Sequence, residues 1–166
     1  MKLLNSLFLA ASLTSLLLLA PSSGLSHCQV PCGIFSDQHR FEGMLEDQTT
    51  IAKAGVQIAE LVAGMKEGGS NALDTNQVAR WVTVKEEHCQ KIQDTIAAYF
   101  MAQRIKPGEG EEETAAYTEK LVAAHVVMRA AMKAKQDPSE EVAAALKEAI
   151  LDFYRAYEGK EPQLEH

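Results

Sequence analysis

The chain has few basic residues, few cysteines and no stretch with the alternating pattern of a β-strand. Its 166 residues include 16 lysines and arginines against 23 aspartates and glutamates, a net charge of −7 with neutral histidines. This acidic balance argues against nucleic acid or an anionic membrane as a partner. It also gives no overall attraction for an anion, so any such attraction has to be local. The 3 cysteines allow at most one disulfide, and the chain shows no internal repeat or low-complexity segment.

Residues 1–26 have the three parts of a secretory signal peptide: the charge of Lys2, an apolar run, and an exit of mostly small polar residues. Small residues at the usual positions allow cleavage before His27 or, equally, before Ser23. About 20 apolar residues also suffice to span a bilayer, but the single basic residue and the small-residue exit favour a cleaved signal. We therefore expect an exported protein, periplasmic or extracellular or in an organelle lumen, with no stable membrane association after cleavage.

Residues 36–166 have apolar side chains at steps of three and four, which predict helices around one modest core. The predicted helices run over 37–66, from a cap at Asp74 or Thr75 to Pro107, over about 112–135, and from a cap at Asp137, with Pro138 in the first helical position, to Tyr157. The predicted core stripe of the first two helices includes Phe41, Met44, Leu45, Ile51, Ile58, Leu61, Val62, Met65, Val78, Trp81, Val82, Ile92, Ile96 and Tyr99. Four helices with short links indicate an all-α fold, an antiparallel up-down four-helix bundle behind an N-terminal metal-binding segment.

The segment after the leader, from His27 to Gly33, reads His-Cys-Gln-Val-Pro-Cys-Gly. Cleavage before His27 would give it a free α-amine, which can close a five-membered chelate with the amide nitrogen of Cys28. The Cys28 thiolate closes a second ring, and the turn forced by Pro31 can bring the thiolate of Cys32 to the fourth position. The His27 imidazole can then approach axially. Planar coordination by nitrogen and thiolate points to Ni(II) or Cu(II), whereas zinc prefers a tetrahedral site.

Other interpretations of these residues remain open at this point. Cys28 and Cys32 of an exported protein could form a disulfide, which would make the chain a disulfide-stapled helical interaction protein. The same terminus could also belong to a non-catalytic exported helical protein that binds Cu(II) or Ni(II). Cys89 reads as a small core residue, Glu42 as part of a charged helix face, and His88 as a packed histidine.

The pattern His-Cys-x-x-Pro-Cys-Gly-x-Tyr at a processed N-terminus is the nickel hook of the nickel superoxide dismutases, and residues 27–35 resemble it. The resemblance extends to Arg40-Phe41-Glu42 and to Lys85-Glu86. It implies an enzyme whose nickel cycles between Ni(III) and Ni(II) in each chain, so that two superoxide ions and two protons give dioxygen and hydrogen peroxide. It further implies a homohexamer of four-helix protomers, a maturation peptidase and a nickel-delivery factor.

The resemblance also implies roles for individual residues. The metal-ligating and catalytic residues would be His27, Cys28 and Cys32, with Pro31, Gly33, Phe35, Glu42 and His88 around them. Glu42 matches the family's glutamate that orients the axial imidazole, and His88 falls where the family has a basic partner for that glutamate. Phe35 replaces the usual tyrosine, so its ring can cover the open face of the metal but cannot donate a phenolic hydrogen bond.

Overall fold

The structure is a computed structural model, and it describes residues 34–163. Its elements are α1 (Asp37–Gly68), α2 (Ala72–Asp94), a π-helical segment (Thr95–Arg104), α3 (Glu111–Gln136) and α4 (Glu140–Glu158). No strand occurs in the described range, so the prediction of an all-helical bundle is confirmed there. The leader 1–26 and the hook residues 27–33 lie outside the described residues. No described helix is long and apolar enough to cross a membrane.

Hydrogen bonds between the helices show that neighbours run antiparallel. The bonded pairs are Asp37 with Tyr99 and Asp47 with His88 (α1 with α2 and the π-helical segment), Gln93 with Met128 and Lys85 with Ala134 (α2 with α3), and Gln38 with Tyr154 and Gln48 with Ala143 (α1 with α4). In each pair of elements, a later residue of one helix faces an earlier residue of the other. The start of α1 therefore lies beside the ends of the π-helical segment and of α4.

The largest buried side chains collect at this same end of the bundle. The ring of Phe41 lies 4.9 Å from the rings of Phe100 and Tyr154 and 5.2 Å from that of Phe153. Phe41, Phe100 and Phe153 have no exposed surface. Large rings bury the most apolar area per residue, and tilted or edge-on pairs add to that burial. We call this packed group, together with Tyr157, the aromatic end.

The opposite end of the α1–α2 hairpin does not reach the core. A Cβ on Gly55 would overlap the carbonyl of Pro138, so the α3–α4 connection crosses α1 at Gly55. The roughly 13 residues from there to Gly68 rise by about 20 Å past that crossing. Residues 61–82, here called the tip, leave Leu61, Met65, Val78 and Trp81 partly exposed and Val62 and Val82 exposed. The expectation that Val62 and Val82 are core residues was wrong, because within residues 34–163 no third helix covers them.

Two predicted helix starts were also wrong. The cap of α2 is Asn71, whose side chain accepts a hydrogen bond from the Asp74 amide at 2.9 Å, because the asparagine after α1 is itself a good N-cap. At the start of α4 the cap position is Ser139, and Pro138 precedes the helix. The Asp137 carboxylate instead accepts from the Ser139 amide at 2.9 Å, which makes a turn before α4.

The second predicted helix was expected to continue unbroken to Pro107. The structure has α2 ending at Asp94 and a π-helical segment from Thr95 to Arg104. At its end the Ile105 amide donates to the Phe100 carbonyl, five residues back, at 2.8 Å.

Candidate metal centre

The chain continues from the hook into the bundle through Phe35, which is the first aromatic residue that the structure describes. Phe35 is three residues after Cys32, so their Cα atoms are at most about 11 Å apart, whatever the conformation of the link. Phe35 and the groups that contact it are therefore the described residues closest in the chain to the expected metal ligands.

Phe35 lies against two side chains of the bundle. The residue is 49% exposed, and its ring meets the Tyr99 ring edge-on, with 6.4 Å between centroids. The guanidinium carbon of Arg40 lies 4.3 Å from the centroid of Phe35 and 5.1 Å from that of Tyr99. The structure thus gives Phe35 a defined surrounding of one aromatic ring and one cation, and leaves about half of the residue exposed.

Asp37, the first residue of α1, gathers three donors from two other elements. Tyr99 donates to Oδ1 at 2.6 Å, while Arg104 at 2.6 Å and Tyr157 at 2.9 Å donate to Oδ2. We call these four residues the Asp37 cluster. Partial burial raises the pKa of Asp37, but the hydrogen bonds from Arg104, Tyr99 and Tyr157 outweigh it, and the net effect lowers the pKa below 3.8. The cluster fixes the start of α1 two residues beyond Phe35.

The donors of the Asp37 cluster are perturbed in turn. Burial raises the pKa of Tyr99 to about 12, and its hydrogen bond to the Asp37 carboxylate adds to the effect. The hydrogen bond to Asp37 also raises the pKa of Arg104. Both side chains therefore keep their protons at neutral pH. The sequence interpretation missed this cluster, although in an up-down bundle residue 37 must lie beside the ends of the second and fourth helices.

Glu42 is held by a glutamine one turn earlier on α1. Gln38 donates from Nε2 to Glu42 Oε1 at 3.0 Å and to the carbonyl of Gln163 at 3.0 Å, and the Tyr154 hydroxyl donates to Gln38 Oε1 at 3.4 Å. Glu42 is partly buried, and its Oε2 takes no hydrogen bond from another described residue. The carboxylate is thus oriented by one oxygen and has the other one available.

His88 contacts a different carboxylate. Its Nδ1 lies 2.6 Å from Oδ1 of Asp47, in a partly buried pair between α2 and α1. Burial raises the pKa of Asp47, and the neighbouring His88 opposes that rise only in part. Among the described residues no hydrogen bond joins His88 to Glu42. The structure therefore does not bring together the two residues that the sequence paired.

Cys89 is buried and free, and burial raises the pKa of its thiol to about 11. A thiol with so high a pKa is a poor metal ligand, because metals bind the thiolate. Within residues 34–163 there is no group of three or more histidine, cysteine or carboxylate side chains placed to hold a metal ion. The buried Lys85 serves the fold: its amine donates to the carbonyls of Ala134 and Lys135, at the end of α3, and to Glu86.

The hook sequence, which lies outside the described residues, contains His27, Cys28 and Cys32 within six consecutive positions. Thiolates select soft or borderline metals, and amine, amide and imidazole nitrogens suit Ni(II). A family model described as nickel-containing superoxide dismutase matches residues 22–161, which is most of the chain. No curated protein and no solved structure gave a match.

Proposed function

The chain belongs to the nickel-containing superoxide dismutase family, and on that premise we propose which of its residues hold the metal and how the protein matures. It is a superoxide dismutase, an oxidoreductase that uses nickel and acts on superoxide. When bound, nickel supplies the one-electron redox change that converts superoxide to dioxygen and to hydrogen peroxide. The observation that carries the proposal is the family match, which spans the hook sequence and the bundle together.

The proposed ligands are the α-amine and imidazole of His27, the amide nitrogen of Cys28, and the thiolates of Cys28 and Cys32. Pro31 supplies the turn between the two thiolates, and Gly33 lets the chain leave the site. Thiolate and amide donors favour the higher oxidation state of the metal because they place negative charge on it. The α-amine exists as a ligand only if His27 is the first residue. We therefore propose that residues 1–26 are removed by a maturation peptidase and that a delivery factor supplies nickel.

Export is part of the same proposal. The leader has the charge, apolar run and small-residue exit of a secretory signal, and the family match begins at residue 22, after the apolar run. We propose that the mature enzyme works in the periplasm or outside the cell, or in an organelle lumen, as a homohexamer like that implied by the family resemblance. Size-exclusion chromatography with light scattering on the processed protein would measure the oligomeric state.

Glu42 is proposed to orient the His27 imidazole. One of its oxygens is already held by Gln38, so the carboxylate is fixed, and Oε2 can accept the imidazole N–H. A ligand histidine held in this way keeps its tautomer and ring angle. His88 would support the arrangement indirectly, because its pair with Asp47 holds α2 against α1. Phe35 would cover the metal without donating a hydrogen bond.

The proposed ligand set is tested by measuring both the bound nickel and the dismutation activity of each variant. Adding one alanine before His27, or changing Cys28→Ser or Cys32→Ser, removes one proposed donor each and should abolish both bound nickel and dismutation. Cys89→Ser is the matched control, since this cysteine is buried in the bundle and should leave nickel content unchanged. Full nickel content in the extended protein, or nickel loss only in Cys89→Ser, would refute the ligand assignment.

The test of Glu42 uses a neighbour on the same helix. Glu42→Gln should keep nickel but lower dismutation by about 10- to 100-fold, the usual cost of losing a group that orients a ligand. Glu46→Gln, one turn later and exposed, should have no effect. Electron paramagnetic resonance of the oxidised protein would show whether the axial nitrogen has changed; an unchanged spectrum and rate in Glu42→Gln would exclude the role.

A further inference from the structure

Arg40 is a cation that has no carboxylate partner among the described residues and lies against Phe35. Its guanidinium contacts the faces of Phe35 and Tyr99, at 4.3 Å and 5.1 Å from the ring centroids. No carboxylate among residues 34–163 forms an ion pair or hydrogen bond with it. Contact with an aromatic face occupies the plane of a guanidinium and leaves the N–H groups at its edge available. Arg40 is only partly buried, so solvent and small solutes can reach those groups.

The carboxylates nearest to Arg40 in the sequence have other described partners. Asp37 already accepts three hydrogen bonds and is paired with Arg104 at 2.6 Å. Glu42 lies two residues along the helix from Arg40, a spacing at which side chains point in different directions, and its described partner is Gln38. Arg40 is therefore a positive charge against the Phe35 ring that no described carboxylate contacts, in a protein whose net charge is −7. This is the local attraction for an anion that the overall charge does not provide.

We infer that Arg40 and the open part of the Phe35 ring form a docking site for small monovalent anions, superoxide among them. The inference rests on the superoxide dismutase activity and specifies where the substrate first binds. Phe35 has no hydroxyl to offer an anion, whereas the guanidinium of Arg40, which lies against its ring, carries N–H donors. Phe35 is three residues after Cys32, so the anion site is close along the chain to one of the proposed ligands.

Binding can be measured without turnover. The reduced nickel-loaded protein and the metal-free protein are each titrated with azide, a small monovalent anion, and followed by nuclear magnetic resonance of the arginine side-chain N–H and aromatic ring signals. We expect saturable shifts at Arg40 and Phe35 in both forms, lost in Arg40→Gln and kept in Arg129→Gln. Arg129 is an exposed arginine on α3, so its variant removes the same charge elsewhere. Shifts that appear only with nickel and persist in Arg40→Gln would place the anion on the metal and overturn the inference.

Kinetics gives a second, independent measurement. Arg40→Gln should lower kcat/KM by roughly three- to tenfold, as expected for one charge acting over several ångströms, and should weaken its dependence on ionic strength. Its kcat should stay near that of the native protein. Arg40→Lys keeps the charge, so its kcat/KM should lie between those of Arg40→Gln and the native protein. Arg129→Gln should have the kcat/KM of the native protein. An unchanged kcat/KM and salt dependence in Arg40→Gln overturns the inference, whereas a native protein that binds azide at Arg40 but lacks dismutation would refute the enzymatic function instead.

Discussion

The two ends of the α1–α2 hairpin are built from similar helices but are stabilised in different ways. At the aromatic end, Phe41, Phe100 and Phe153 are completely buried, and the Asp37 cluster ties three elements together. At the tip, residues 61–82 have no other described helix to pack against, and Leu73 is 66% exposed. The stable end is the one from which the hook extends.

The strongest test of this difference compares one apolar residue from each end. Phe41→Ala should destabilise the protein by about 3–5 kcal/mol, because it opens a cavity among four rings. Leu73→Ala should change the free energy of unfolding by no more than about 0.5 kcal/mol, as for an ordinary surface position. Denaturant unfolding measures both values. Equal losses in the two variants would show that the tip is as tightly packed as the aromatic end.

A smaller effect is expected where the covered and uncovered parts of the hairpin meet. Lys85→Met removes the amine that binds the carbonyls of Ala134 and Lys135. Leaving buried acceptors unpaired should cost about 1–3 kcal/mol. The matched control is Lys91→Met, an exposed lysine on the same helix, which should be nearly neutral. If both variants unfold alike, the buried amine does not hold α3 against α2.

The Asp37 cluster should add a pH-dependent contribution to the stability of the aromatic end. Asp37→Asn should lower the free energy of unfolding at neutral pH by about 1–2 kcal/mol, through weaker hydrogen bonds. The folded pKa of Asp37 is below its unfolded value of 3.8. The stabilisation is therefore complete above the unfolded pKa and is lost as the pH falls through the folded one.

The difference in free energy of unfolding between the native protein and Asp37→Asn should accordingly become smaller as the pH falls below about 3.8. Unfolding curves at a series of pH values measure it. The exposed Asp94→Asn, on α2, serves as the control. A constant gap across the acid range would mean that the carboxylate charge is not what holds the cluster.

The smallest effects are expected at the tip itself. Val62→Thr should shift the free energy of unfolding by less than about 0.5 kcal/mol, and amides of residues 61–82 should exchange with solvent before those of α1 around Phe41. Hydrogen exchange followed by mass spectrometry locates the difference. Slow exchange at the tip that depends on protein concentration would show that another copy of the chain covers it.

The helices could be predicted from the sequence because each has a regular apolar stripe, and Gly and Pro mark the links. The stripe does not say how long the neighbouring helices are, so the sequence placed Val62 and Val82 in a core that ends before them. The predictions of the helix caps were wrong for a local reason. Asn71 and Ser139 each have neighbours that are equally suitable as caps, and only the geometry of the turn decides between them.

The candidate site also has one part that can be predicted from the sequence and one part that cannot. The nickel-binding pattern is contained in consecutive residues and can be recognised without a fold. Contacts around it depend on which residues of distant helices share a level of the bundle. This is why the sequence interpretation paired Glu42 with His88. In the structure Glu42 accepts a hydrogen bond from Gln38, and His88 is hydrogen-bonded to Asp47. It is also why Asp37, with partners 62 to 120 residues away, was overlooked.

The π-helical segment from Thr95 to Arg104 determines the directions in which the side chains at its end point. An α-helix turns by about 100° per residue, and the wider turns of a π-helix change the direction in which each later side chain points. Without it, Tyr99 and Arg104 could not both face Asp37 while Ile96 and Phe100 point into the core. Deleting a single alanine there would keep the composition of the helix almost unchanged but rotate Arg104 away from α1. The number of residues in this one stretch, more than their identity, keeps Tyr99 and Arg104 in register with Asp37 at the start of α1.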